Sequence, residues 1–383
     1  MDCEGTRFLL DKDGLLKDFK HEIEYCTFCP KMCRFACAVA NTEKRETVTP
    51  TQKLAALYLL GKDVVSLEEI VDAVYKCCTC KACFTPCLHE IEVYKVLEAA
   101  RAVIVDAGLA PKACEGNNRL VRQRNNPYGA DLESELRGIV PEKYADRRAP
   151  VVFFPGCTAI VDRKENVVDT IRLLEAAGVD FGVPVSDAVC CGGPSFTLGY
   201  RDTFEYLAKR NVEIFRETST VVSGCPMCVH SFAEEYPQYG LGLDAEVVHV
   251  APFLLDLIEA GRLSVREPTG TRVVYHDPCH LGRHLGIYDA PRRLIELATG
   301  TEPGEFSYNR QDSVCCGGGG GLRLTSPGTA RAMRSMRLDQ IPETDWRHLA
   351  TACPSCERVF SRASDEVAIV DVVNLVAQAV FGK

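Results

Sequence analysis

The chain has 383 residues, 46% of them hydrophobic and 25% charged, with a formal net charge of -9 and 21 cysteines. That length exceeds one ordinary core and predicts two or three domains, while the acidic balance excludes nonspecific nucleic-acid binding, which needs a basic surface. The cysteines are too many for packing and too sparse for a small disulfide scaffold, which leaves metal binding as the leading explanation.

Met1-Asp2-Cys3-Glu4-Gly5 lacks the basic and apolar pattern of a secretory signal, so a reducing, cytoplasmic compartment is expected. Residues 1–108 read as helical. Thr49-Pro50-Thr51 followed by Leu54, Leu57, Tyr58 and Leu60 and closed by Gly61 predicts a helix with a cap, an early proline and a terminal glycine. Ser66-Leu67-Glu68-Glu69 is a capping box opening a second helix to about Tyr75, and a third is expected from Ile91 to about Val105. Between them lie Cys26-x2-Cys29-x3-Cys33-x3-Cys37 and Cys77-x2-Cys80-x2-Cys83-x3-Cys87.

The second of these runs has the spacing of a bacterial ferredoxin motif, in which three close thiolates hold one cluster and the fourth crosses to the other. That resemblance implies one 4Fe-4S cube on Cys26, Cys29, Cys33 and Cys87 and another on Cys77, Cys80, Cys83 and Cys37. The first run carries one extra residue before Cys33, and neither fourth cysteine is followed by proline. Helical connections point to an all-α ferredoxin-like domain. Two zinc sites are the alternative, since four thiolates suffice for either metal centre. Cys3, Cys78 and Cys114 fall outside the pattern and read as packing or surface thiols.

Residues 109–150 lose periodicity, with Asn117-Asn118, Asn125-Asn126-Pro127-Tyr128-Gly129 and scattered arginines, and read as a linker with a solvated basic face. From Val151 the period changes. Val151-Val152-Phe153-Phe154 predicts a buried strand, Asn166 to Ala177 a helix, Val179 to Val183 a strand, Asp202 to Thr218 a helix and Thr220-Val221-Val222-Ser223 another strand. Alternating strands and helices imply a parallel sheet whose ligand sites lie beyond the carboxyl ends of the strands, where Cys157 and Cys225 stand.

The plan then repeats. Pro155-Gly156-Cys157, Cys190-Cys191-Gly192-Gly193 and Cys225-Pro226-Met227-Cys228 return as His276-Asp277-Pro278-Cys279-His280, Cys315-Cys316-Gly317-Gly318-Gly319-Gly320-Gly321 and Cys353-Pro354-Ser355-Cys356, at offsets of 122, 125 and 128 residues. Val248-His249-Val250 before a helix likewise corresponds to Val370-Asp371-Val372. The fold class expected is therefore α/β with a helical part, divided into 1–108, the linker 109–150, and two duplicated halves, 151–262 and 263–383.

A fifth thiol in an adjacent pair exceeds what zinc or an ordinary cube needs, and a bridging thiolate would resolve the count. Gly192, Gly193, Gly317 and Gly318 would let backbone approach the metal and aim amide hydrogens at sulfur. Tandem Cys-Cys-Gly modules behind a two-cluster ferredoxin segment resemble the heterodisulfide reductases of methanogens, in the form that fuses both parts. The resemblance implies two Rossmann-like halves, each with a noncubane 4Fe-4S cluster, one on Cys157, Cys190, Cys191, Cys225 and Cys228 and the other on Cys279, Cys315, Cys316, Cys353 and Cys356. The substrate it implies is the mixed disulfide of coenzyme M and coenzyme B, reduced to two thiols by electrons from the two cubane clusters.

His276, His280, Arg283 and His284 flank Cys279 and are candidates to supply a proton or hold the substrate's anionic groups, with Arg323 a further anion binder. Structural hydrogen bonding is the alternative for the histidines. The expected partner is an electron-donor subunit, either a membrane cytochrome b-type protein or a flavin- or ferredoxin-type one. The most apolar stretch, Val367 to Phe381, is too short to span a membrane, so any peripheral membrane association would come through that partner. The rival function is an electron-transfer subunit of a hydroxy-acid oxidase or of a sulfur-metabolism membrane complex.

Overall fold

The computed structural model describes residues 17–342, 346, 348–362 and 367–382, so Cys3 lies outside the described residues. The chain divides into two compact units. One comprises Met1–Arg119, Pro194–Asp202 and Val314–Asp339; the other comprises Leu120–Gly193, Thr203–Ser313 and Gln340–Lys383.

The first unit is helical. The helix Pro50–Leu60 starts where the Thr49 side chain accepts from the Gln52 amide and proline fills the first turn, and its Leu54, Leu57 and Leu60 bury one face. The capping box forms as the sequence indicates, with Ser66 and Glu69 satisfying each other's amides at the head of the helix Leu67–Tyr75. The third helix, Val93–Asp106, begins two residues later than Ile91 and is buried on nearly every side. Its Ala99 and Ala100 admit close neighbours, while Leu97 and Ile104 are fully enclosed. Truncating such a leucine to alanine costs about 2–5 kcal/mol.

The second unit holds two four-stranded parallel sheets. Strands β1 (Val151–Phe153), β2 (Phe181–Gly182), β3 (Thr220–Ser223) and β4 (Glu246–His249) lie in the order β2-β1-β3-β4. Strands β5 (Val273–His276), β6 (Gly304–Glu305), β7 (His348–Thr351) and β8 (Ala368–Asp371) repeat it as β6-β5-β7-β8. The registers match as well, Val151 facing Thr220 in one sheet and Val273 facing His348 in the other. Each central strand ends just before a cysteine: β1 before Cys157, β3 before Cys225, β5 before Cys279 and β7 before Cys353.

The apolar stretch near the carboxyl end forms the helix Val372–Phe381, packed against both Lys164–Ala176 of the first half and Asp289–Thr299 of the second. Asn374 donates to Asp169 at 2.9 Å, a buried polar tie within that apolar contact. Among the described residues no helix is long and apolar enough to cross a membrane. The region 109–150 is more regular than its sequence indicates, because it contains the helices Lys112–Arg124 and Leu132–Arg137. Burial of Cys114, Val121, Leu132 and Leu136 overrides the weak helical preference of Gly116, Asn117 and Asn118.

Candidate metal centres

In the helical unit the two cysteine runs interleave around two cavities. Cys26 lies in the last turn of Lys20–Thr27, Cys33 in a 3-10 turn, and Cys37 caps the helix Ala38–Glu43. Cys77 to Cys87 occupy the loop between Leu67–Tyr75 and Val93–Asp106. Lys31, Thr79 and Lys81, each between two cysteines, have φ of 72°, 52° and 58°, which curls the chain so that neighbouring thiols converge. One cavity is lined by Cys26, Cys29, Cys33 and Cys87, with Cys83 also on its wall. The other is lined by Cys37, Cys77, Cys80 and Cys83, together with Cys78 and the buried Lys53.

Burial first, and then neighbouring Cys33, push the Cys26 thiol up to about 12, with Cys29 and Cys87 adding to the effect. Burial likewise raises Cys37, reinforced by Cys80 and Cys77 and opposed by Lys53. Thiols so crowded do not ionise without a cation among them. The Thr79 and Ile91 amides point at Cys77 Sγ and Cys87 Sγ, at 3.3 and 3.5 Å. Cavities lined by four or more thiols, with amide hydrogens aimed at sulfur, fit iron-sulfur clusters.

The first five-cysteine set gathers within the sheet unit. Gly156, with φ of 79°, carries the chain from β1 into Cys157, and a Cβ there would lie 3.2 Å from Cys228 Sγ and 3.3 Å from Cys225 Cβ. Cys157 Sγ lies 3.7 Å from Cys190 Sγ. Hydrogen bonding continues from Cys190 to Cys191, to Cys228 and to Cys225, so the five thiols form one connected string. Its bond to Cys157 pushes Cys190 well up, whereas Cys225, accepting from Cys228, is lowered.

The adjacent pair is held by its backbone. Cys190 donates its amide to Asn125 O at 2.9 Å, Asn211 donates to Cys190 O at 3.0 Å, and the buried Tyr236 hydroxyl donates to Cys191 O at 2.8 Å. Gly192 (φ of 87°) has no room for a Cβ against Phe204, which would sit 2.9 Å away; at Gly193 the Ser231 hydroxyl would sit 2.5 Å away. The sequence pattern points to the glycines but not to Gly156, Asn125, Asn211 and Tyr236. Of these, Gly156 alone carries a sequence signal, as the residue before Cys157 at a strand end.

The second set divides between the units. Cys315 and Cys316 belong to the helical unit, where the Gly317 amide lies 3.4 Å from Cys315 Sγ, and Arg323 donates to Gly318 O at 3.3 Å. Cys279, Cys353 and Cys356 belong to the sheet unit. There Cys279 Sγ lies 3.5 Å from His280 Nδ1, Cys353 caps the helix Pro354–Phe360, and the buried His276 ring meets Phe360 edge-on at 4.9 Å. His280 and His284 stack at 4.3 Å, and His230, which no sequence motif singles out, stands 4.8 Å from His284 and 5.6 Å from His280. Arg283 is turned to the carbonyls of Gln311 and Ser313, at 3.1 and 2.6 Å, so it braces that loop. Asp277, one residue after His276, takes a two-point bond from Arg292 at 2.7 and 2.8 Å.

Residues 151–233 and 273–361 each match the cysteine-rich domain called CCG. The chain is 30% identical over 94% of its length, and 94% of the other protein's, to a subunit of the dihydromethanophenazine:CoB-CoM heterodisulfide reductase of Methanosarcina barkeri. It is 27% identical to the EtfAB:quinone oxidoreductase of Syntrophomonas wolfei over 89% of this chain and 52% of that one. It is 26% identical to the probable iron-sulfur-binding oxidoreductase FadF of Bacillus subtilis over 85% of this chain and 48% of that one.

Proposed function

The chain belongs to the heterodisulfide reductase family of iron-sulfur oxidoreductases with paired CCG domains, and from that premise we propose that it is the catalytic subunit of a disulfide-reducing complex. The substrate inferred is the mixed disulfide of coenzyme M and coenzyme B, named in the relative with 94% coverage. In this reading the helical unit is a two-cluster ferredoxin-like domain, and the duplicated sheets are Rossmann-like halves of one catalytic body.

The observation that carries the reading is the string of five thiols from Cys157 to Cys225, whose sequence pattern recurs complete in the second half. Cys26, Cys29, Cys33 and Cys87 would hold one cubane cluster, and Cys37, Cys77, Cys80 and Cys83 the other. Each five-cysteine set would hold a noncubane cluster. Bound there, the clusters would supply the two electrons that split a disulfide into two thiolates. The chain's own contribution is to fix the sulfur ligands through Gly156, Asn211 and Tyr236 and to present the imidazoles of His276, His280 and His284 beside Cys279. Arg283 would act by shaping the loop 311–313, and Arg323 by binding an anion. A donor subunit of cytochrome b, flavin or ferredoxin type would deliver the electrons, and would also provide any membrane attachment of an otherwise cytoplasmic protein.

The test is anaerobic purification, analysis for iron and sulfide, and dye-linked assay. About 16 iron atoms per chain and turnover of the mixed disulfide support the reading. About 8 iron would remove the noncubane clusters from it. The EtfAB:quinone oxidoreductase relative favours a second reading, an electron-transfer subunit of a flavoprotein, hydroxy-acid oxidase or sulfur-metabolism complex. Fully loaded protein that ignores every disulfide and accepts electrons from a flavoprotein would establish that reading instead.

A further inference from the structure

We propose that Lys53 is the counter-charge for a cluster held by Cys37, Cys77, Cys80 and Cys83. It makes that centre, rather than the one on Cys26, Cys29, Cys33 and Cys87, the place where an electron entering the helical unit comes to rest. The proposal deepens the reading above and rests on its assignment of iron-sulfur clusters to both cavities.

Lys53 stands where neither its helix nor its surroundings favour a cation. It is 1% exposed and lies in the first turn of Pro50–Leu60, at the positive end of the helix dipole. Among the described residues no carboxylate pairs with it. Its neighbours are treated differently. Lys76, the other buried lysine among the described residues, is paired with Glu43, and Lys81, on the same cavity wall as Lys53, is paired with Glu92 at 2.9 Å. A buried ammonium without a carboxylate is retained only where another anion meets it. The cavity that Lys53 lines with Cys37, Cys77, Cys80 and Cys83 supplies one once loaded, because four thiolates outweigh the charge of an iron-sulfide core.

The same helical turn serves the other cavity with a neutral group. Thr51, also fully buried, places its hydroxyl 3.5 Å from Cys33 Sγ. Among the described residues the wall of that cavity holds no lysine or arginine, and its His89 is exposed. Met32 and Leu88 on that wall are 53% and 93% exposed, so water reaches it. The wall around Lys53 is instead formed by the buried Ala38, Val39, Leu97 and Met333. Apolar surroundings make an added electron costly, but they also leave the ammonium's field unscreened. One cavity thus receives a hydroxyl dipole and the other a whole positive charge, which favours reduction of the second. Only the distribution of one electron between two centres is at issue; no bond forms or breaks, and Lys53 keeps its proton.

The experiment uses the full chain, loaded anaerobically and counted for iron. It is reduced stepwise while paramagnetic resonance follows the two centres, whose signals are assigned with Cys29→Ser and Cys80→Ser. In the wild type the Cys37 centre is expected to fill first; a wild type that fills the Cys26 centre first overturns the proposal. At full iron, Lys53→Gln is expected to move the partition about fiftyfold toward the Cys26 centre, or about 100 mV at about 59 mV per tenfold for one electron. Lys53→Arg keeps the charge and should stay within about threefold of the wild type. If the glutamine variant does not load, Lys53→Met carries the same comparison. Full iron with an unchanged partition in the neutral variant, or an arginine variant that moves as far, overturns the role of Lys53 and leaves the cluster reading standing. Wild type that takes up no iron in the helical unit overturns both.

Discussion

Removing the Arg101 guanidinium is expected to loosen three segments at once. The side chain is fully buried and stacks over Tyr75 at 5.0 Å. Its nitrogens donate to Val74 O at 3.3 and 3.1 Å, to Cys77 O at 2.9 Å, to Thr197 O at 2.8 Å and to Gly320 O at 3.1 Å. Four carbonyl oxygens from distant parts of the sequence thus depend on one cation. Hydrogen bonds to a charged donor contribute about 1.5–3 kcal/mol each, but burying the charge offsets much of that sum. Leucine in its place removes the buried charge and leaves four carbonyls short of a donor, at about 1 kcal/mol each by the lower bound for unsatisfied groups, so about 4 kcal/mol is lost. Arg101→Lys keeps the charge without the fork and should fall between. Denaturant unfolding of loaded protein measures the total, and amide hydrogen exchange locates it, with faster exchange around 77–79, 197–200 and 319–322. An Arg101→Leu protein whose midpoint and exchange match the wild type would refute the reasoning.

Lys53→Met should lower the midpoint potential of a centre held by Cys37, Cys77, Cys80 and Cys83, because a buried cation lining the same cavity favours the reduced form. The shift expected is on the order of 100 mV, and potentiometric resonance spectra that do not move would count against it. Gly156→Ala combines a positive φ with a Cβ crowded against Cys228 and Cys225, so about 4 iron atoms per chain should be lost from the first five-cysteine set. The spectra of the helical unit should stay as they were, and a full iron content would sink this expectation. His249 is held at about 4 by burial, against the carbonyl of Gly224. Its folded value lies below the unfolded one, so the stability it confers is complete above about pH 6.5 and is lost as pH falls toward 4. Between pH 7 and 5 that amounts to about 2 kcal/mol, and His249→Asn should flatten the unfolding free energy over this interval.

Much of the fold was legible because its signals are local. The cap at Thr49, the box at Ser66 and Glu69 and the alternation after Val151 each act within a few residues, and the corresponding elements form close to where they were expected. The 109–150 region was less legible because its order comes from side-chain bonds to backbone that leave no apolar periodicity in the sequence. Asn126, fully buried, donates to Arg124 O and Ala130 O and accepts from the Tyr128 and Ala130 amides, turning an apparent linker into a defined corner between two helices. Separation along the chain hid the surroundings of Gly319 and Gly320. A run of glycines beside a cysteine pair suggests approach to metal, whereas the closest atoms belong to Cys77 and Cys78. Cys78 reads in the sequence as a packing or surface thiol outside the ligand spacing, and it is buried, 2% exposed.

The duplication also shows which features a half must keep. His249 and Asp371 stand 122 residues apart, at the ends of β4 and β8, and each caps the following helix by accepting an amide, from Ala251 at 3.1 Å and from Val373 at 3.0 Å. Burial lowers the histidine and raises the aspartic acid, so in each half it disfavours the charged form of the side chain that caps the helix. Around the first cysteine of each set the opposite holds. At the same offset Phe154 stands where the second half has His276, Thr158 where it has His280, and Val161 where it has Arg283. The backbone plan is shared, while the second half carries three imidazoles around Cys279, at 276, 280 and 284, where the first half has Phe154, Thr158 and Asp162. In the first half the position equivalent to His276 belongs to the core, where Phe154 packs edge-on against Phe215 at 5.8 Å and Phe232 at 5.0 Å.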